Sequence, residues 1–268
     1  ISIYFASINR NKRSICLDLK SKEGKSALHA LLATADVLVE NMRPGVRNRL
    51  GCSDEDLKRI NPKLVRASIT GFGQTGPYAH RAGYDFIIQG MSGLMSITGE
   101  PGGQPQKSGV AITDLFTGVY ATTAILAAVY QRLQTGLGQQ IDMALLDVAV
   151  AMTSNQAMNY LTSGIAPGMM GNAHMNLTPY QVFDCADGHI IIATGNDDQY
   201  HRLCRLLGLD EMIDAPKFSS NSDRIANRKE MTQLLTDATM RRSCADLLEA
   251  CESAGVPAGP INDMADVM

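Results

Sequence analysis

The chain has 268 residues, of which 45% are apolar and 19% are charged. This composition excludes a disordered chain, a collagen, a coiled coil and a small disulfide scaffold. Lys and Arg total 24 against 27 Asp and Glu, which gives a net charge of −3. A net charge this close to zero gives no indication of a strongly basic surface, so we expect no nucleic-acid partner.

The six cysteines are scattered along the chain without any CxxC spacing. Zinc sites and stapled secreted modules need closer or more regular cysteine spacing. The five histidines show no metal-ligand spacing either. We therefore expect a cytoplasmic protein with reduced thiols and no metal site.

The first seventy residues alternate short apolar segments with amphipathic ones. Ser21 and Ser53 are predicted helix N-caps, and Asp56 completes a capping box with Ser53. The apolar segments between them predict strands at Ser14–Leu19, Asp36–Glu40 and Leu64–Thr70. Strands and helices that alternate at this spacing predict an α/β fold with a mostly parallel, doubly wound sheet.

The middle of the chain is poor in charge. We predict a helix at Leu115–Gln134, a strand at Gln139–Leu145 and a further helix capped by Asp147. Residues 148–183 contain no Lys, Arg, Asp or Glu, yet polar and turn-forming residues interrupt them. A membrane span needs about 20 mostly apolar residues, so we expect no membrane contact and interpret 148–183 as a buried linker or a subunit interface.

The last third of the chain is richer in charge and predicts a second, smaller α/β domain. Its predicted elements are a strand at His189–Thr194 and helices at Asp197–Leu207, Asn221–Thr239 and Ala245–Ser253. We accordingly divide the chain into a large domain (1–165), a linker (166–179), a small domain (180–260) and a final segment (261–268).

Residues 71–76 form a G-x-G-x-x-G sequence after a predicted strand. A dinucleotide site needs a helix that starts at the third glycine, but Pro77 and Tyr78 follow instead. We interpret this sequence as a structural glycine turn.

Asp114 is the only charged residue between Lys107 and Arg132. It precedes the predicted Leu115 helix, where a carboxylate is favoured as an N-cap. The alternative is a partly desolvated carboxylate that acts as a nucleophile. In that case, the backbone N–H groups at the start of the helix would be placed to stabilise an oxyanion.

Asp85 allows the same two interpretations, a helix cap or an acid in a neutral setting. Arg43, Arg47 and Arg49 follow a strand end, and Arg81 lies in a glycine loop. Such arginines either bind a phosphorylated ligand or form a solvated face.

Four motifs occur in a fixed order: NMRPG at 41–45, SITGFGQTGPY at 68–78, RAGYD at 81–85 and GVAITDLFTG at 109–118. With these motifs the chain resembles the family III (CaiB/BaiF) CoA-transferases over essentially its whole length. Residues 6–12 (ASINRNK) and 255–262 (GVPAGPIN) resemble the subgroup that moves CoA between dicarboxylates such as succinate, glutarate and hydroxymethylglutarate.

The resemblance implies roles for individual residues. Asp114 falls on the family's catalytic aspartate, and Tyr84 and Asp85 fall beside the active site. The positions that match CoA contacts are Asn41, Met42, Arg49 and Arg81, with Arg43 beside them. The family's racemases carry a histidine at the position of Tyr84, so Tyr84 favours transfer. A racemase or epimerase, and a silent CoA-binding protein, remain the alternatives.

The resemblance also implies an architecture and partners. A Rossmann-like large domain and a smaller α/β domain would belong to an interlocked homodimer, with 148–183 as the crossing linker. The family's N-terminal strand would lie outside this chain, and 261–268 would begin the return to the large domain. The substrates would be an acyl-CoA and a small carboxylic acid, with no permanently bound cofactor.

Overall fold

A computed structural model describes residues 2–268, which divide into two compact units. The first unit contains the residues up to Ile97 together with Gln106–Pro167, and the second contains Thr98–Pro105 and Gly168–Met268. Residues 98–105 thus pack with the second unit, although they lie inside the predicted range 1–165. The other predicted domain boundaries stay predictions.

A parallel three-stranded sheet forms the centre of the first unit. Its strands are β1 (Val37–Glu40), β2 (Val65–Thr70) and β3 (Gln140–Ala144), in the order β1-β2-β3. The central strand β2 is buried at five of its six positions, as expected for a parallel strand that is covered on both faces. The α/β fold class is confirmed.

Eight helices of the part of the chain that the structure describes belong to this unit. Ser21 accepts a hydrogen bond from the Gly24 N–H, and Ser53 forms the predicted capping box with Asp56. The helices are α1 (Ile3–Ile8), α2 (Lys22–Thr34), α3 (Val46–Arg49), α4 (Asp54–Ile60), α5 (Asp85–Met91), α6 (Ile112–Thr135), α7 (Leu145–Met152) and α8 (Ser154–Ser163). A short 3-10 helix, Met95–Ile97, follows α5.

The second unit has an antiparallel sheet in the order β4-β5-β6, with strands at Tyr180–Cys185, Gly188–Ala193 and Ala258–Pro260. Phe183, Ile190 and Tyr200 are among its buried core residues. Its helices are α9 (Asp197–Leu207), α10 (Glu211–Asp214), α11 (Asn221–Ala226), α12 (Arg228–Thr239), α13 (Cys244–Ala254) and α14 (Met264–Val267), with a 3-10 helix at Pro216–Phe218.

Three predictions of local structure are wrong. Asp147 does not cap a helix, because α7 begins at Leu145 and its N-cap is Ala144. Ser14–Leu19 forms no strand, because no neighbouring segment within residues 2–268 pairs with it, and most of its residues are exposed. The predicted helix Asn221–Thr239 is two helices, α11 and α12, separated at Asn227.

Helix α6 is long and apolar enough to cross a membrane by length and composition alone. Its most apolar 18-residue window has a mean hydropathy of 1.5 and is 22% buried. The helix packs against β2, β3, α5 and α7, and a helix that packs on a sheet meets the same two criteria. The expected absence of membrane contact therefore stays a prediction.

Candidate active site

A cavity of about 350 Å³ lies at the carboxyl edge of the parallel sheet. Asn41 follows β1, Ile69 lies near the end of β2, and Leu145 follows β3; all three line the cavity. The remaining lining residues come from the start of α5 and the first two turns of α6: Gly83, Tyr84, Asp85, Asp114, Thr117 and Gly118. Open α/β sheets bind their ligands at this edge.

Asp114 is the third residue of α6, whose N-cap is Ala111. The N-cap interpretation of Asp114 is therefore wrong. Within residues 2–268, the Asp114 side chain accepts no hydrogen bond, and the residue is exposed at the cavity. Its carboxylate oxygens are thus available to a bound molecule.

Asp85 caps α6 from a different helix. Its Oδ1 accepts hydrogen bonds from the Thr113 N–H at 2.8 Å, the Thr113 hydroxyl at 2.5 Å and the Asp114 N–H at 3.2 Å. Its Oδ2 accepts a hydrogen bond from the Gln89 side chain at 2.7 Å. A carboxylate at this point satisfies amides that a helix start leaves unpaired, and it complements the helix dipole.

The two carboxyl groups have pKa values displaced in opposite directions. Desolvation acts to raise the pKa of Asp85, but hydrogen bonds from Thr113, Gln89 and the two backbone amides outweigh it and lower that pKa. Partial desolvation, followed by repulsion from Asp85, raises the pKa of Asp114. Opposite displacements in neighbouring carboxyl groups are typical of sites that do acid–base or nucleophilic chemistry.

The backbone amides at the start of α6 are already occupied. Asp85 accepts from the Thr113 and Asp114 N–H groups. The Ile112 N–H donates to the Val110 carbonyl, and the Leu115 N–H donates to the Ala111 carbonyl. The expectation that these amides stabilise an oxyanion is therefore wrong.

Close backbone contact positions the segment that carries Tyr84 and Asp85. Gly71 follows β2, and a Cβ added there would lie 2.5 Å from the Gly83 Cα. The Gly71 carbonyl also accepts a hydrogen bond from the Leu146 N–H at 3.0 Å. No helix begins at Gly76, so the interpretation of residues 71–76 as a glycine turn is confirmed.

The cavity brings together four of the eight predicted site residues: Asn41, Tyr84, Asp85 and Asp114. The other four, Met42, Arg43, Arg49 and Arg81, do not line it.

The four arginines that the sequence singled out, Arg43, Arg47, Arg49 and Arg81, differ in their partners. Arg47 is mostly buried and forms an ion pair with Asp54 at 2.8 Å, so it is not available to a ligand. The Arg81 guanidinium lies 4.8 Å from the Tyr78 ring centroid. Within residues 2–268, Arg43, Arg49 and Arg81 form no ion pair, which leaves their charges available to phosphates.

Sequence reasoning assigned no role to Thr117 and Gly118, which line the cavity one turn after Asp114. Their i+3 and i+4 spacing from Asp114 was a usable signal, because such residues share a helix face. Gln89 was also missed, although its position four residues after Asp85 gives the same kind of signal. Within residues 2–268, no group of three His, Cys, Asp or Glu side chains is placed to hold a metal ion.

Comparisons with known proteins show which family the chain belongs to. A family model described as CoA-transferase family III matches residues 1–268. The chain is 51% identical over 264 residues to a succinate–glutarate CoA-transferase of Agrobacterium fabrum, and the match covers 98% of this chain and 66% of that protein. It is 43% identical over 266 residues to a succinyl-CoA:glutarate CoA-transferase of Homo sapiens, with 99% and 61% covered.

Among solved structures, a CAIB/BAIF family protein from Brucella suis superposes with a TM-score of 0.85 at 52% sequence identity, covering 98% of this chain and 70% of that one. This chain thus spans 66% and 61% of the lengths of the two named transferases. The resemblance seen in the motifs is confirmed along the whole chain, which belongs to CoA-transferase family III.

Proposed function

We propose that this protein transfers CoA from a dicarboxylyl-CoA such as succinyl-CoA to a free dicarboxylic acid, with Asp114 as the nucleophile. The observation that carries the proposal is the Asp114 carboxylate, which faces the cavity and accepts no hydrogen bond within residues 2–268. Relatives named for succinate, glutarate, oxalate and mesaconate support a dicarboxylate substrate.

The proposed reaction exchanges acyl groups between sulfur and oxygen. An Asp114 oxygen attacks the thioester carbonyl, and the C–S bond breaks to give a mixed anhydride and CoA thiolate. The thiolate attacks the Asp114 carbonyl carbon, which releases the first acid and leaves an aspartyl-CoA thioester. The acceptor carboxylate then reverses these two steps and carries CoA away. The bonds formed and broken match in number and kind, so no ATP is needed.

Two alternatives make different products. A racemase would exchange an α-proton without an acceptor acid, and a silent CoA-binding protein would give no turnover. Exchange of an α-proton needs a second acid–base group beside Asp114, but the hydrogen bonds that lower the pKa of Asp85 make Asp85 a weak base. The free carboxylate of Asp114 beside a fully hydrogen-bonded one suits nucleophilic attack better.

Trapping of the acylated enzyme tests the proposal. The protein is incubated with succinyl-CoA and then with hydroxylamine, which converts an activated carboxyl to a hydroxamate. Peptide mass spectrometry is expected to place the hydroxamate on Asp114. A label on Asp85 would reassign the nucleophile. A matrix of acyl-CoA donors against carboxylic acids, with the acyl-CoA products detected by mass spectrometry, identifies the two acids.

We expect Arg49→Ala and Arg81→Ala each to raise the KM for acyl-CoA. Both residues are exposed and form no ion pair within residues 2–268, and both match family CoA contacts. Loss of one charge-assisted hydrogen bond to phosphate costs ~1.5–3 kcal/mol, which corresponds to a KM increase of roughly tenfold or more. Arg59→Ala, which removes an exposed arginine paired with Asp56, is the control. Unchanged KM values for both variants would place CoA elsewhere.

We also propose that the protein is a cytoplasmic homodimer. All six cysteines are unpaired thiols, which fits a reducing compartment. Leu126, Leu161 and Ile165 are each at least 65% exposed, and apolar side chains so placed favour burial by a second copy. Sedimentation equilibrium is expected to show a dimer, and a stable folded monomer at nanomolar concentration would contradict it.

A further inference from the structure

Gln89 is completely buried, and its side-chain amide connects two segments of the first unit. The Nε2 group donates to Asp85 Oδ2 at 2.7 Å, and the Oε1 atom accepts from the Ser108 N–H at 2.9 Å. Ser108 lies in the segment that leads into α6. Both ends of this amide are therefore satisfied by groups that flank the start of the helix carrying Asp114.

The contact with Gln89 determines what the other Asp85 oxygen can do. Because Oδ2 is held on the α5 side, the carboxylate plane is fixed and Oδ1 faces Thr113 and Asp114. Without this contact, only the hydrogen bonds at Oδ1 would orient the carboxylate. Its three hydrogen bonds to the start of α6 would then be held less firmly.

We propose that Gln89 is a positioning residue, which orients Asp85 and thereby fixes the helix start that carries Asp114. This inference rests on the proposed function, because it assigns Gln89 to the transfer reaction of that site. Gln89 does not line the cavity, so it contacts no substrate and acts only through Asp85 and the segment at Ser108.

This role makes a specific kinetic prediction. Gln89→Met keeps a side chain of similar length and removes both hydrogen bonds. We expect kcat for CoA transfer to fall roughly 10- to 100-fold, the loss expected for one hydrogen bond to a charged group. The KM for acyl-CoA should stay unchanged, because substrate contacts remain in place.

The chain offers a matched control. Gln233 in α12 donates to Asp237 at 2.8 Å, also across four residues, and it is exposed. Gln233→Met breaks the same kind of hydrogen bond and should leave kcat and KM unchanged. If Gln89→Met does not fold, as judged by circular dichroism, Gln89→Leu replaces it in every measurement.

A double-mutant cycle tests whether Gln89 acts through Asp85. If it does, Gln89→Met added to Asp85→Asn should lower kcat by less than threefold, because the contact it supports is already lost. Additive effects on kcat would overturn the proposal. Hydrogen exchange provides a readout besides activity: the Thr113 and Asp114 amides should exchange faster in Gln89→Met and at the wild-type rate in Gln233→Met.

The outcomes separate this inference from the proposed function. If wild-type protein transfers CoA from succinyl-CoA to glutarate, and Gln89→Met keeps the wild-type kcat and exchange rates, the role of Gln89 is refuted and the function stands. If the wild type transfers no CoA to any acid in the matrix, the proposed function fails. The positioning role of Gln89 in the transfer reaction fails with it, whatever the exchange rates show about the helix start.

Discussion

Asp114→Asn is expected to lower kcat for CoA transfer by about three orders of magnitude or more, because an amide cannot attack a thioester carbonyl. The variant keeps the size and shape of the side chain at the cavity. Binding of acyl-CoA should therefore persist while turnover is lost, which steady-state kinetics and a direct binding measurement will separate. The hydroxamate on the Asp114 peptide should also disappear.

The fold of Asp114→Asn should be intact. Asp114 is the third residue of α6, and within residues 2–268 its side chain accepts no hydrogen bond, so the variant loses no cap. Because the pKa of Asp114 is raised in the folded state, its ionisation costs stability, which falls as the pH rises from the unfolded-state pKa through the folded-state pKa. A neutral Asn removes this cost, so thermal unfolding near pH 7 should occur at the same or a slightly higher temperature.

Lost stability together with retained turnover would contradict the assignment of Asp114 as the nucleophile. Loss of an N-cap costs ~0.5–2 kcal/mol of stability and leaves turnover largely intact. An Asp114→Asn variant that keeps full transferase activity, or that unfolds at a much lower temperature with activity retained, would make Asp114 a structural residue.

Asp85→Asn should lower kcat by about 10- to 100-fold and also reduce stability, in contrast to Asp114→Asn. Asp85 holds the start of α6 with charge-assisted hydrogen bonds to Thr113 and Asp114. Replacement of the carboxylate by a neutral amide weakens these bonds, at a cost of ~1–3 kcal/mol. The free energy of unfolding, measured in urea, checks the structural part of this prediction.

The pH dependence of Asp85→Asn follows from the pair of carboxyl groups. In the proposed reaction Asp114 acts in its ionised form, and repulsion from Asp85 contributes to its raised pKa. A neutral Asn at position 85 removes that repulsion, so the acid limb of the kcat/KM profile should move to lower pH. Asp237→Asn, in α12, is the control and should leave the limb in place. An acid limb that does not move would show that the charge of Asp85 does not affect the pKa of Asp114.

The pH dependence of stability has the opposite sign for the two groups. The folded-state pKa of Asp85 is lowered, so this carboxylate contributes stability above its unfolded pKa, and that stability is lost as the pH falls through the folded value. Asp85→Asn should therefore lose more stability relative to wild type at neutral pH than at acidic pH.

Local signals in the sequence predicted the local structure well. Ser21 and Ser53 cap α2 and α4 as expected, because an N-cap and its partner lie within three residues. Asp114 and Asp85 are 29 residues apart; Asp114 was predicted at the correct helix start but as its N-cap, and Asp85 was not predicted to cap α6. No spacing rule within one helix shows that a carboxylate on α5 caps α6, so this arrangement needed the structure.

Other errors have equally physical causes. Ser14–Leu19 has an apolar pattern typical of a strand, but a strand also needs a neighbour, which the pattern does not reveal. The apolar periodicity of Asn221–Thr239 continues across Asn227, where the backbone leaves the helical conformation at φ −109° and ψ 23°. The parallel sheet and its carboxyl-edge cavity were predictable, because alternating strands and helices allow few other topologies.

The close contact between Gly71 and Gly83 closes the base, or neck, of the loop 71–83, and the residues farthest from this contact form its exposed tip. The neck has no room for a single Cβ, whereas Thr75 and Gly76 at the tip are exposed, and nothing lies within 4 Å of a Cβ added at Gly76. Inserted residues or an attached fluorophore at the tip should therefore leave Tyr84 and Asp85 in place. The tip is thus a suitable attachment point for a spectroscopic reporter.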